Sequence, residues 1–309
     1  MIRLLGVLAA ALVTVTACGA STPELPPDSP PEMLSVLTGD RGDDVLDNVT
    51  TYEWDDDGTA AGARFTWIGE DDEAANQGAA RLAEYLIADH GKLTAIGSGF
   101  LGLTKVSAAQ MNPQLTRAYA TSLAPHVGEF VGGHRREFES LRVQIADNPL
   151  ALRNLLSVFV ADPEPGRTAV EATHAAAEQY EEAAAAAPPD SRESVAALRA
   201  AGALLGAAYG AVEMADSDIP TPSSGPATSE MAVRIATILV PADPNAAILS
   251  KYVEDGRLMS PAAVQNKFSD TAMRTYYLDV QNYIGTKGFE DGNNTFVAAF
   301  KDSSGVPLS

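Results

Sequence analysis

Proline recurs directly after a small polar side chain, and this pairing constrains the fold more than any other feature. The pairs are Asn112-Pro113, Asn148-Pro149, Asp162-Pro163, Asp243-Pro244 and Ser260-Pro261. A small polar side chain caps the first free N–H groups of an α-helix, and proline is tolerated at the first helical position. Apolar residues follow with helical spacing, as in Leu115, Tyr119 and Leu123. The sequence therefore predicts a succession of helices.

The expected fold class is all-α, either a multi-helix bundle or an irregular helical array. Residues 167–187 are rich in alanine and glutamate, residues 190–214 begin with the composition of a capping box, and residues 271–284 carry an amphipathic stripe. Near the N-terminus, residues 49–54 and 63–68 are enriched in threonine, valine and aromatic residues and flank an Asp-Asp-Asp-Gly turn. That pattern permits a minor β-hairpin, or else a pair of irregular helical turns.

The N-terminal residues have the features of a signal peptide. One basic residue, Arg3, precedes an uncharged apolar run that ends at Ala17, and the only cysteine of the chain follows as Cys18. The run is too short for a membrane-spanning helix. Ala17 followed by Cys18 resembles a bacterial lipobox, in which the cysteine takes a diacylglycerol and the peptidase cleaves after the preceding small residue. The alternative is an ordinary secretory signal with an incidental cysteine.

Composition divides the chain into five segments. Prolines cluster between residues 21 and 33, acidic residues dominate 40–73, and glycine and asparagine are frequent after 285. The expected boundaries are a lipoprotein signal peptide at 1–17, a proline-rich tether at 18–34, an acidic segment at 35–72, a helical domain at 73–290 with a sub-boundary at 216–228, and a loose tail at 291–309.

Charge restricts the partners. The chain has 21 basic and 41 acidic side chains, a net charge of −20. This excess argues against nucleic-acid binding and against electrostatic adhesion to an anionic membrane. The lipobox resemblance implies instead that the diacylglyceryl group on Cys18, with its two acyl chains, holds the protein to the bilayer. The expected location is the extracytoplasmic face of the cell membrane.

Catalytic and metal-binding patterns are weak in this sequence. The four histidines, His90, His126, His134 and His174, lack metal-ligand spacing, and no nucleophile elbow or phosphate-binding loop is present. We therefore assign no catalytic residue, no metal ligand and no cofactor, and an enzyme is the less favoured class. An enzyme would need a deep polar cleft, for example around His126 or His134. The basic run from His134 to Arg136 either binds an anion or pairs with acidic side chains.

Three glycines form a ridge on one predicted helix. Gly202, Gly206 and Gly210 are spaced by four within the uncharged stretch 200–212. Glycine at this spacing lets another backbone approach closely. The stretch is shorter than the ~20 residues that span a bilayer. It is therefore expected to be the tightly packed central helix of a bundle; the alternatives are a membrane-active hairpin and a groove for a partner helix.

Several short motifs resemble those of a group of actinobacterial secreted proteins, some of them labelled "TPR repeat region" in mycobacteria. The motifs are Phe65-x-Trp67-Ile68, Asn112-Pro113-x-Leu115, Asn148-Pro149 before an apolar helix, Arg199-Ala-Ala-Gly202-x-Leu204-x-Gly206 and the region from Tyr277-Leu278 to Gly288. The resemblance covers roughly residues 60–290 and implies an α-helical module of the cell envelope. The favoured function is a protein-interaction or structural module that contacts another envelope protein. The alternatives are a toxin-associated or membrane-perturbing factor and an envelope enzyme.

Overall fold

The computed structural model describes residues 22–98, 104–243 and 246–307, and this part of the chain is all-α, which confirms the predicted class. The α-helices are α1 (Pro30–Thr38), α2 (Gly42–Thr51), α3 (Thr59–Gly62), α4 (Glu73–Leu93), α5 (Ala108–Met111), α6 (Pro113–Leu123), α7 (Glu139–Asp147), α8 (Ala151–Ser157), α9 (Pro163–Ala186), α10 (Arg192–Met214), α11 (Ser224–Leu239), α12 (Pro261–Phe268), α13 (Asp270–Thr286) and α14 (Glu290–Ser304). The 3₁₀ segments are Ala63–Gly69, Ala124–Phe130, Arg136–Phe138, Val240–Ala242 and Ala247–Tyr252. Two antiparallel strand pairs join β1 (Ile96–Ser98) to β2 (Thr104–Val106) and β3 (Val253–Glu254) to β4 (Arg257–Leu258).

The polar residues before proline begin helices in two different ways. The Asp162 carboxylate accepts a hydrogen bond from the Glu164 N–H, and the Ser260 hydroxyl accepts one from the Ala263 N–H, so both cap the helices that follow. Asn112 makes no such bond. Its buried side chain donates to the carbonyls of Thr50 and Tyr52 and accepts from the Trp54 N–H. It therefore joins the start of α6 to the N-terminal helices.

Helix α10 is the central element. It packs between α9 and α14 and also contacts α8, while α9 in turn contacts α6 and α11. Helix α13 packs on α11 through its buried stripe, which includes Tyr276, Val280 and Ile284. The expected sub-boundary at 216–228 is shorter in the structure, because α11 already begins at Ser224.

The β-hairpin expected near the N-terminus is absent from the described residues, and this prediction was wrong. Residues 49–51 belong to α2, and residues 63–69 form a 3₁₀ segment, so the alternative of irregular helical turns describes this region. Leu46 and Val49 are buried from α2, and Phe65 and Ile68 from the 3₁₀ segment. Both pairs are spaced by three, which places their side chains on one face of a helix and on opposite faces of a strand. Residues with a preference for strands therefore form helical turns here, because only a helix buries these side chains together.

The proline-rich tether expected at 18–34 is shorter than predicted. Helix α1 begins at Pro30, with prolines in its first turn, where the missing N–H would have no helical partner in any case. Pro26 and Met33 are buried against the helical body. Residues 26–34 are therefore part of the fold.

The prediction of a loose tail at 291–309 was also wrong, because most of this segment forms α14. Phe296 and Phe300 are fully buried and lie on one face of that helix. Glycine and asparagine are poor helix formers, which is why the composition predicted a loose segment. The burial of the two phenylalanines against α10 outweighs this propensity, since tertiary packing supplies most of the stability of a helix.

Candidate functional site

The glycine ridge lies inside the fold, against α14. A Cβ atom built on Gly202, Gly206 or Gly210 would fall closer than 3.0 Å to the backbone carbonyl of Phe296, Phe300 or Ser304, respectively. The two helix backbones thus approach at a distance that a side chain at these positions would prevent. The ridge is occupied by the chain's own helix, and another face of α10 faces a surface groove.

That groove consists of three adjoining cavities of about 640, 620 and 380 Å³. The first lies between α9 and the segment that contains the Ala124–Phe130 turn, the second between α9 and α10, and the third between α10 and α14. The first two share Gly132, His134, Tyr180 and Ala183. The second and third share Val131, Arg199 and Ala200. A continuous channel, here called the alanine groove, therefore crosses three helices.

Small residues dominate the surface of the alanine groove. The alanines that line it are Ala124, Ala146, Ala172, Ala175, Ala176, Ala183, Ala196, Ala197, Ala200, Ala203, Ala298 and Ala299. Alanine side chains leave little between an approaching backbone and the helices beneath, so interaxial distances at the short end of the 8–10 Å range are accessible. Two sequence signals lie on this groove: the basic run from His134 to Arg136 at its edge, and the high alanine content of α9. Neither says which alanines face outward, so neither predicts a concave apolar surface.

Tyr180 forms the junction of the first two cavities. Its hydroxyl donates a hydrogen bond of 2.8 Å to the carbonyl of Gly128. A Cβ on Gly132 would lie 2.7 Å from the same hydroxyl oxygen, so a side chain at this position would oblige the Tyr180 ring to shift. Burial raises the pKa of Tyr180 to about 12. The phenol is therefore neutral at physiological pH, and it fixes the glycine-rich segment 128–133 against α9.

The basic run at the edge of the groove is largely neutralised by acidic partners. Arg135 forms ion pairs with Asp71 and Glu129, and its hydrogen bond lowers the pKa of Asp71. Arg136 pairs with Glu73 and Glu137. The alternative of pairing with acidic side chains, weighed against anion binding for this run, is the arrangement that the structure has. His134 is exposed and lines the first two cavities.

Three other arginines that line the groove have no ionic partner within the described chain. Arg142, in the third cavity, donates hydrogen bonds to the backbone carbonyls of Glu129 and Arg135. Arg192 and Arg199 are both exposed and line the second cavity, and Arg199 also lines the third. Within the described part of the chain neither makes an ion pair or a hydrogen bond. Both guanidinium groups are therefore available to an acidic ligand on this concave surface.

The histidines do not converge on one site. His126 is buried, and its Nε2 atom donates to the Ile68 carbonyl at 2.7 Å, while burial lowers its pKa. His90 lies 2.8 Å from the Ile87 carbonyl, through Nδ1. The described residues contain no group of three or more histidine, cysteine or acidic side chains able to hold a metal ion. His126 thus serves packing, and His134 faces the groove without a neighbouring nucleophile.

A buried charge cluster lies between α9 and α11, beside a small cavity of about 60 Å³. The Glu181 carboxylate, 3% exposed, accepts a hydrogen bond of 2.7 Å from Arg234, which also pairs with Glu178 at 2.8 Å. Burial raises the pKa of Glu181 to about 7, against the attraction of Arg234. His174 lines the same cavity, and its buried Nε2 atom has no hydrogen-bond partner. The cluster joins α9 to α11, and the cavity beside it is too small for an organic substrate.

Helix α10 is also long and apolar enough to cross a membrane, judged by length and composition alone. Two thirds of its most apolar window, 67%, is buried inside the fold. A helix enclosed by α9 and α14 passes this test because it is the core of the bundle.

The predicted lipidation site, Cys18, and the cleavage residue Ala17 lie outside the described residues. The chain matches no protein-family model, no curated protein and no solved structure. The resemblance to actinobacterial secreted proteins therefore stays a prediction.

Proposed function

We propose that this protein is a lipid-anchored module of the cell envelope that binds another envelope protein in the alanine groove. One observation carries the proposal: three cavities join into a channel lined by small apolar side chains, on the surface of a rigid helical core. Concave apolar surfaces of this kind are the usual sites of ligand and partner binding. The anchor rests on the Ala17-Cys18 pattern and its resemblance to a lipobox.

The chemistry of the groove supports binding over catalysis. Among the described residues that line it, the titratable groups are ion-paired or isolated, as Arg135 and His134 illustrate. Tyr180 is held neutral and hydrogen-bonded. Nucleophilic catalysis requires a nucleophile within hydrogen-bond reach of a base, and the lining residues do not supply such a pair.

Site-directed photo-crosslinking in producing cells tests this function. A photoreactive amino acid replaces Ala183, an exposed alanine of the groove, or Ala262, an exposed alanine of α12 that lines no part of it. We expect one discrete adduct from position 183 and none from position 262. Identical adducts at both positions, or no adduct at position 183 in the full-length chain, would overturn the proposed function.

A further inference from the structure

The arrangement of Arg192 and Arg199 specifies the kind of partner that the groove fits. They are seven residues apart on α10, which is two helical turns and about 10.5 Å along the axis. Both are exposed beside the alanines of the second cavity, and both lack an ionic partner in the described chain. A pair of guanidinium groups at this spacing is suited to two carboxylates, because arginine binds carboxylates through two parallel hydrogen bonds.

The position of Arg192 is unfavourable for the helix that carries it. It is the first residue of α10, where the partial positive charge of the helix dipole disfavours a cation. Glu193, in the same first turn, is the acidic residue that complements the dipole there, and Arg192 itself makes no ion pair within the described chain. The guanidinium of Arg192 is therefore available to a carboxylate of a partner.

The walls of the groove favour a helical partner over an extended one. Apart from the loop at residues 131–135 they are formed by helices, whose backbone groups are already hydrogen-bonded, and neither described strand pair lines them. An extended peptide would bury its own N–H and C=O groups without partners, which is costly. A helix satisfies these groups internally and needs only an apolar face. The alanines admit such a face closely, as glycines do between α10 and α14.

We propose that the alanine groove binds an acidic amphipathic α-helix of a partner protein. The small apolar face of that helix lies on the alanines, and two of its carboxylates, seven residues apart, pair with Arg192 and Arg199. Glu193 and Asp302 also line the groove and repel carboxylates placed elsewhere along it. The remaining surface, strongly acidic, repels the same helix, so electrostatics confines binding to one register. This inference rests on the proposed function.

A helical peptide library tests the inference on the full-length acylated chain, held in nanodiscs of neutral phosphatidylcholine. We expect the selected peptides to carry aspartate or glutamate at two positions seven residues apart. One selected peptide and its glutamine counterpart are then measured by fluorescence anisotropy. The double variant Arg192→Gln/Arg199→Gln should weaken binding of the acidic peptide at least ten-fold and leave the glutamine counterpart unchanged.

The matched control is Arg167→Gln/Arg274→Gln, which removes two exposed arginines that are also unpaired and line no part of the groove. It should leave the affinity within two-fold. Peptides that block the Ala183 adduct but retain full affinity for Arg192→Gln/Arg199→Gln would overturn the inference and leave the interaction function standing. Binding of phosphatidylglycerol vesicles through the two arginines, with no peptide selected, would also overturn it. Absence of both the adduct and any groove-dependent peptide would overturn the inference and the proposed function together.

Discussion

At the scale of single residues, the absence of a side chain on α10 sets how closely α14 packs. Gly202, Gly206 and Gly210 each face a backbone carbonyl of α14. A carbonyl on a packed helix cannot move aside as the end of a flexible side chain can. A substitution on the ridge therefore has to displace a whole helix, and overpacking of this kind costs about 1–3 kcal/mol or more.

We expect Gly206→Ala to lower the free energy of unfolding by about 1–3 kcal/mol, because its Cβ would press on the Phe300 carbonyl. The matched control is Gly91→Ala in α4, where a Cβ would have no neighbour within 4 Å. That change should stabilise by about 0.5–1 kcal/mol, since alanine is the better helix former. Urea unfolding of the two variants should give opposite signs; stabilisation by Gly206→Ala would place α14 away from the ridge.

Asn112 illustrates what local sequence could and could not predict about single residues. The Asn-Pro pair correctly located the start of α6. It did not predict that the asparagine side chain bonds Thr50, Tyr52 and Trp54, about 60 residues earlier in the chain. A helix start depends on neighbours in sequence, whereas a buried amide takes its partners from whatever the fold brings near it.

At the scale of elements, the ion pair between Glu181 and Arg234 joins α9 to α11. Arg234 offsets the burial of a carboxylate that is 3% exposed. A carboxyl whose folded pKa lies above its unfolded value binds more protons when folded, so its contribution to stability declines as pH rises between the two values. For the pKa of Glu181 that window runs from its ordinary value of 4.5 to about 7.

We expect Arg234→Met to lower the free energy of unfolding by about 2–3 kcal/mol at pH 8, because Glu181 must then either stay ionised without its partner or take up a proton that the unfolded chain does not bind. Losing Arg234 raises the pKa of Glu181 further, so the difference from wild type should shrink at pH 5, where the carboxyl is protonated. The double variant Glu181→Gln/Arg234→Met should abolish this pH difference. Urea unfolding at the two pH values measures it, and an equal loss at both would contradict the assigned role.

Element prediction from sequence succeeded where periodicity was strong and failed where burial overrode composition. The long runs 167–187 and 190–214 became α9 and α10. Residues 291–304, rich in polar residues, were expected to be loose and form most of α14 instead. The helical signal in that segment was only Phe296 and Phe300, two apolar residues four apart. They stabilise a helix only because α10, with its glycine ridge about 90 residues earlier, packs against them.

At the scale of the whole molecule, the alanine groove could not be predicted from sequence. Its walls come from α9, α10, α14 and the segment after α6, and which alanines face outward depends on how these elements pack. Periodicity specifies the face of one helix at a time. A concave surface formed by several helix faces exists only after the helices have packed, so periodicity alone does not predict it.

The proposed anchor makes a whole-molecule prediction. Cys18→Ser removes the thiol that would accept diacylglycerol, and the acidic body has no electrostatic attraction to an anionic membrane. We expect the variant to lose labelling by palmitate analogues and to move from the detergent phase to the aqueous phase on phase separation. Ser35→Ala, an exposed position in α1 whose side chain makes no hydrogen bond within the described chain, serves as the processing control. Retained labelling of Cys18→Ser would refute the lipobox assignment.

Because α14 covers α10 in the fold but follows it in the sequence, the glycine face of α10 is uncovered while the chain is being synthesised. Helix α10 is synthesised roughly 80 residues before the helix that covers its glycines, and during that interval its most apolar surface has no lid. If the chain is exported, α10 crosses the membrane before α14 can cover it. By length and composition α10 is apolar enough to insert there. Arg199 lies within that segment, and a guanidinium in the hydrocarbon core is costly. If the chain is exported, as the proposed anchor requires, the side chain that faces the groove in the folded protein also disfavours retention of α10 in the bilayer.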